Sequence, residues 1–220
     1  MTLTDWLSDN WIEVFGAIAG IVYVFLEIRQ NLWLWPVGIV TSGVYIWVFF
    51  KGKIYADMSL QVYYLVISIF GWYWWVRGTG HRAQGEELRA PVSDKKEHVK
   101  LAVSRVSFRL VMILLIIFLA LFSLIYFILD RFTDSPVPGW DSFITSLSIV
   151  ATWMLARKLF EHWYLWIIVN FVSAGLFLTR GLYPTVILYL IYFIMSFAGL
   201  RAWKRTIHES HIHLTGGTIS

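Results

Sequence analysis

Two tryptophans and an asparagine, Trp163, Trp166 and Asn170, stand at i, i+3 and i+7 in the run HWYLWIIVN. On a helix that spacing places both indoles and the amide on one stripe. Such a stripe recognises rather than reacts. Rings stack on a flat solute, with roughly 0.5–2 kcal/mol more if the solute is cationic, and the amide holds a polar group. A second stripe, Gln61, Tyr64, Ser68 and Gly71, runs at steps of 3, 4 and 3, and Tyr189, Tyr192, Ser196 and Gly199 echo it. Each residue also has a plainer use. Trp163, at the start of its apolar run, suits an interfacial belt. Asn170 suits a bond between helices, worth on the order of 0.6–2 kcal/mol. Ser68, Gly71, Ser196 and Gly199, like Gly16 and Gly20, suit close helix packing. Taken together, Trp163, Trp166 and Asn170 favour a site.

These residues lie in blocks too apolar for a soluble protein. Of 220 residues 58% are hydrophobic, 18% aromatic and 15% charged, where a soluble domain carries about 25% charged residues. The pattern predicts an all-α membrane protein with seven transmembrane helices, at about 11–28, 33–50, 57–76, 109–129, 141–157, 163–179 and 184–203, since a bilayer crossing takes about 20 apolar residues. The acidic start, MTLTDWLSDN, carries no Lys or Arg and does not read as a cleavable signal.

With seven spans, fourteen Lys and Arg fall in the loops on one side and four in those on the other. The positive-inside rule then places the N-terminus outside and the C-terminus in the cytoplasm. Basic loop charge thus has a topological cause, with anionic lipid as its natural partner, and no nucleic-acid partner is expected. The sequence carries an internal repeat. Residues 55–75 match 183–203 at Tyr55/Tyr183, Leu60/Leu188, Tyr64/Tyr192, Ser68/Ser196, Gly71/Gly199 and Trp75/Trp203. Upstream, after a three-residue change in length, Leu34-Trp35 is set on Leu165-Trp166 and Ser42 on Ser173. An odd-numbered unit repeated in the same direction needs one extra crossing, so the plan reads as two parallel three-helix repeats joined by a linking helix. The divisions are 1–76 for the first repeat, 77–108 for a cytoplasmic basic loop, 109–129 for the linking helix, 141–203 for the second repeat and 204–220 for a cytoplasmic tail, expected to be disordered. Parallel repeats of this kind are a transporter architecture with its site at the repeat interface.

Several chemistries are not indicated. Cysteine is absent, and no HExxH sequence or facing pair of aspartates appears within the spans. No catalytic residue, metal or cofactor is expected, the histidines at 208, 211 and 213 being read as tail residues. Ionisable groups avoid the middle of the spans, with Glu13, Glu27, Asp57 and Asp141 near span ends, so ion coupling is not indicated either. The stripes suit a small neutral or singly cationic aromatic molecule. A membrane enzyme or non-transporting scaffold is the alternative of another class.

Trp163-x-x-Trp166-x-x-x-Asn170, the segment Tyr55-Ala-Asp57-Met-Ser-Leu-Gln61-Val-Tyr63-Tyr64 and the following Gly71-Trp72 resemble the PnuC family of bacterial vitamin transporters, over about Trp11 to Trp203. The resemblance implies a SWEET-like fold, a homotrimer in the cell inner membrane, and facilitated diffusion of nicotinamide riboside, an NAD precursor trapped by cytosolic phosphorylation. Thiamine is the alternative substrate, and other members of the family are thought to carry riboflavin or deoxynucleosides. It marks Trp163, Trp166, Asn170, Gln61 and Tyr64 as substrate-binding, and Tyr192 joins them through the repeat.

Overall fold

The computed structural model describes residues 11–51, 55–77 and 101–215, except the side chains of Glu13, 55–57 and 210–215. Most of the basic loop lies outside them. Among the described residues seven helices follow in order: α1 (Trp11–Ile28), α2 (Leu34–Lys51), α3 (Tyr55–Arg77), α4 (Phe108–Phe132), α5 (Pro138–Ala156), α6 (His162–Thr179) and α7 (Tyr183–Thr215). Their bounds fall within three residues of the expected spans, with one exception. Helix α7 continues to Thr215, where a disordered tail was expected beyond 203. That extension is polar, and Arg205 and Glu209 stand four apart, a spacing that supports a helix in water.

Helices α2, α4, α6 and α7 are long and apolar enough to cross a membrane, and α1 is a shorter apolar helix. Helix α5 shows how a more polar span is tolerated. Ser142, Ser146, Ser148 and Thr152 each donate their hydroxyl to the carbonyl four residues back, at 2.6–2.8 Å. Each of these four hydroxyls is satisfied within its own helix, which lowers the cost of burying it.

The two repeats correspond at a constant offset of 128 residues: Leu34 to His162, Lys51 to Thr179, Tyr55 to Tyr183. Even the turns match. Gln30 and Lys158 both take positive φ of 51°, and each donates its backbone N–H three residues back, to Glu27 and Leu155. This corrects the upstream register expected above. Trp35 corresponds to Trp163, not Trp166, and Ser42 to Asn170, not Ser173. The physical marker is a tryptophan lodged against a glycine. Trp35 lies against Gly71 with Trp75 edge-on at 5.3 Å, and Trp163 lies against Gly199 with Trp203 edge-on at 5.9 Å. The shared Leu-Trp letters were a coincidence between apolar runs.

Each repeat pairs its second and third helices, and the repeats then exchange contacts. Helix α1 packs on α7, and α3 on α5. Helix α4 stands outside, packing Leu114 with Val150 and Met154 while most of its apolar residues are exposed, as a lipid-facing linker requires. At its start, Ser107 accepts a capping bond from Leu110 N–H. Just before it, residues 104 and 106 are tied to the α5–α6 turn. Ser104 exchanges backbone bonds with Lys158 and Phe160, and Glu161 accepts from Val106 N–H at 3.0 Å.

Candidate functional site

A cavity of about 370 Å³ lies between the repeats, within the usual range for a small-molecule pocket. Six helices line it and α4 does not. All six residues singled out from the sequence, Gln61, Tyr64, Trp163, Trp166, Asn170 and Tyr192, are on its wall.

Helix α6 contributes the expected stripe. Trp163 is no belt residue, being 1% exposed and wedged between Gly199 and Trp203. The belt expectation failed because glycine in α7 leaves a slot the indole can fill. Trp166 stands one turn deeper, and its indole N–H has no hydrogen-bond partner. Asn170 is 6% exposed and donates through Nδ2 to Ser196 Oγ at 3.1 Å. Ser196 passes its own hydrogen to Tyr192 O at 2.8 Å. Asn170 therefore does bind another helix, and it does so on the cavity wall. One amide hydrogen is spent on α7, leaving the carbonyl oxygen and the second hydrogen for something else.

The opposite walls come from α3 and α7, where Tyr189 and Tyr192 meet edge-on at 5.9 Å. Two glycines of α1 make room for phenols: Gly16 lies against the Tyr45 hydroxyl, and Gly20 against that of Tyr192. Rings and hydroxyls dominate, an arrangement that can stack a flat solute and hold its polar edge.

Sequence reasoning missed part of the wall. Gly16, Gly20, Tyr23 and Glu27 line the cavity from α1, and Ile144, Ser148 and Thr152 from α5. Both sets run at helical spacing, the one signal in the sequence that could have found them. Glu27 was set aside as a span-end acid, yet it is 2% exposed on the cavity wall. Its Oε1 lies 3.0 Å from Nε2 of the fully buried His162. The Glu27 backbone carbonyl accepts from Trp203 Nε1 at 3.1 Å, which ties this turn of α1 to α7.

At this end the cavity is sealed by Trp163, Trp203, Leu34, Trp35, Leu155 and neighbouring buried residues. Toward the other end its wall, at Gly16 and Tyr45, is half-buried. Pocket and seal thus meet at Glu27 and Trp163.

The sequence model of the family described as nicotinamide mononucleotide transporter matches residues 10–205. The nicotinamide riboside transporter PnuC of Escherichia coli (strain K12) is 29% identical over 211 residues, covering 91% of this chain and 87% of that protein. The riboflavin/roseoflavin transporter RibM of Streptomyces davaonensis is 28% identical over 197 residues, covering 88% and 84%. The crystal structure of the vitamin B3 transporter PnuC matches with a TM-score of 0.68 at 20% identity, over 92% of this chain and 84% of that one. At that identity the match establishes the fold.

Proposed function

This chain belongs to the nicotinamide mononucleotide transporter family, and on that premise we propose that it carries nicotinamide riboside across a bacterial inner membrane by facilitated diffusion. Membership makes it a multi-pass membrane transporter and not an enzyme, so the enzyme and scaffold alternatives fall away. The observation that carries the substrate reading is the convergence of Trp163, Trp166, Asn170, Gln61, Tyr64 and Tyr192 on one cavity between the repeats. In this reading Trp166 stacks on the pyridinium ring or its neighbour. Asn170, already anchored by Ser196, and Gln61 hydrogen-bond the polar groups, and the tyrosines enclose the rest. Gating is a rocking of the two three-helix units, and phosphorylation in the cytosol makes uptake one-way.

The sealed end of the cavity carries Arg29, Arg77, Arg157, Lys158 and Arg205, so the positive-inside rule makes it cytoplasmic and the half-buried end external. The chain is further proposed to act as a homotrimer, an assignment that a monomer in native mass spectrometry of the solubilised protein would remove.

Titration calorimetry with nicotinamide riboside tests the site. Trp166→Ala and Asn170→Ala each weaken binding about five- to thirtyfold, as expected for removing roughly 1–2 kcal/mol of contact. Unchanged affinity in both variants removes the site. A second reading has its own support, since the relative RibM is named for riboflavin at nearly the same identity. Thiamine, another flat cation, suits the same rings. Titration of the unaltered chain with all three vitamins decides among them, and binding of riboflavin or thiamine alone overturns the nicotinamide riboside assignment.

A further inference from the structure

His162 and Glu27 meet where the second repeat touches the first, and the donors and acceptors around them do not balance without an additional proton. His162 Nδ1 lies 2.6 Å from the Leu159 carbonyl oxygen. A carbonyl can only accept, so Nδ1 must carry hydrogen. A neutral imidazole then presents a bare lone pair at Nε2, and Nε2 is 3.0 Å from Glu27 Oε1. An ionised carboxylate is also acceptor-only. Two acceptors at that distance, in a site where both side chains are at most 3% exposed, require a hydrogen between them. Either His162 is the imidazolium or Glu27 is the acid, and in both cases the couple has one proton more than a neutral histidine facing a carboxylate.

We infer that Glu27 and His162 form a proton-binding site at the sealed end of the cavity, and that the shared proton fastens α1 to α6 and keeps that end shut. Loss of the proton to water, by way of the cavity that Glu27 borders, leaves a carboxylate facing an imidazole lone pair in a buried site. Separation of α1 from the α6–α7 pair lets water reach both groups, so higher pH favours the opened end.

Among the described residues, no other side chain is recorded as hydrogen-bonded to the Glu27 or His162 side chain. Tyr23, one turn earlier on α1, is the titratable neighbour within electrostatic reach of Glu27. From α7 come Trp203, whose ring lies 4.7 Å from that of His162, and Ile207; from α2 come Leu34 and Trp35, and from α5 Leu155 and Ala156. In the adjoining turn the Arg157 guanidinium lies over the Trp74 ring, the Lys158 ammonium over that of Trp75, and the Glu161 carboxylate accepts from Val106.

The repeat shows that the fold does not demand this pair. At the 128-residue offset, Glu27 corresponds to Leu155 and His162 to Leu34, both fully buried in the same core. The first repeat meets the second through an acid and a base where the symmetry-related crossing has two leucines. An ionisable couple at one of two equivalent positions serves something other than packing.

The inference rests on the transporter reading, but its test needs no solute and so fails separately from the choice of vitamin. The chain has no cysteine, so Arg29→Cys with Arg205→Cys places two spin labels across the α1–α7 interface that Gln30 and Thr206 bridge. Pulsed electron paramagnetic resonance on the full chain in nanodiscs is recorded at about pH 5 and about pH 8. The distance is expected to lengthen by several ångström at the higher pH. Glu27→Gln supplies a permanent N–H toward Nε2 and is expected to keep the short distance throughout. The pair Glu27→Leu with His162→Leu copies the other crossing, and is expected to fold and lose the pH response. A distance that ignores pH in the otherwise unaltered chain overturns the inference. So does lengthening that persists in Glu27→Gln or in the double-leucine variant.

Discussion

An indole packed against a glycine leaves no room for a methyl group, and this chain uses that contact once in each repeat. A Cβ at Gly71 would run into the Trp35 ring, and one at Gly199 into the Trp163 ring. Gly71→Ala and Gly199→Ala are each expected to destabilise the detergent-solubilised protein by about 1–3 kcal/mol, read as a lower Tm. Only Gly199→Ala should also weaken vitamin binding, because Trp163 borders the cavity and Trp35 does not. Gly43→Ala and Gly175→Ala meet nothing within 4 Å and should leave Tm unchanged or raise it, alanine favouring a helix by roughly 0.5–1 kcal/mol. Equal losses at all four positions would show that these glycines act through the backbone and not through the indoles. At this scale the tryptophan–asparagine stripe was legible because helical spacing alone puts its residues on one face. Glu27 was not. Spacing could have placed it with Gly16, Gly20 and Tyr23, but nothing in the sequence reveals that Trp203 holds its backbone from inside.

Helix limits were readable because the end of an apolar run marks the end of a crossing, and α1, α2 and α6 begin and end within a residue of expectation. The tail broke the rule, since a charged sequence can stay helical beyond the point where hydropathy stops. Turn geometry was not readable at all. Gln30 and Lys158 reverse the chain with φ of 51°, a conformation that β-branched side chains resist. Lys158 compensates by setting its ammonium 4.2 Å from the Trp75 ring centroid, and Gln30 by donating to Thr206 Oγ1 at 3.2 Å. Gln30→Val should therefore cost about 1–3 kcal/mol by chemical or thermal denaturation. Gln30→Gly, which loses the bond but relaxes the backbone, should cost less. A valine as stable as the glycine would mean that the turn is not held in this conformation.

The arrangement of the whole molecule followed from the in-register Ser, Gly, Tyr and Trp of the third helices and from the need for one extra crossing. The upstream register went astray because two apolar helices share leucines and tryptophans by chance, and packing rather than lettering identifies the true partners. The proposed sidedness can be tested on the same cysteine-free background. A cysteine at exposed Trp140 or Tyr183 should react with an impermeant maleimide in intact cells, whereas one at Arg205 should react only after permeabilisation. The opposite pattern inverts the topology and, with it, which end of the cavity is closed. Near-identical walls would give an unsymmetrical guest two equivalent ways to lie, each taken half the time. Where one repeat has Gly38 and Ser42, the other has Trp166 and Asn170, all four on the same cavity. In the proposed binding mode the passenger then has a single seat for its ring and a single anchor for its polar end, so that it boards in one pose and leaves without having to tumble.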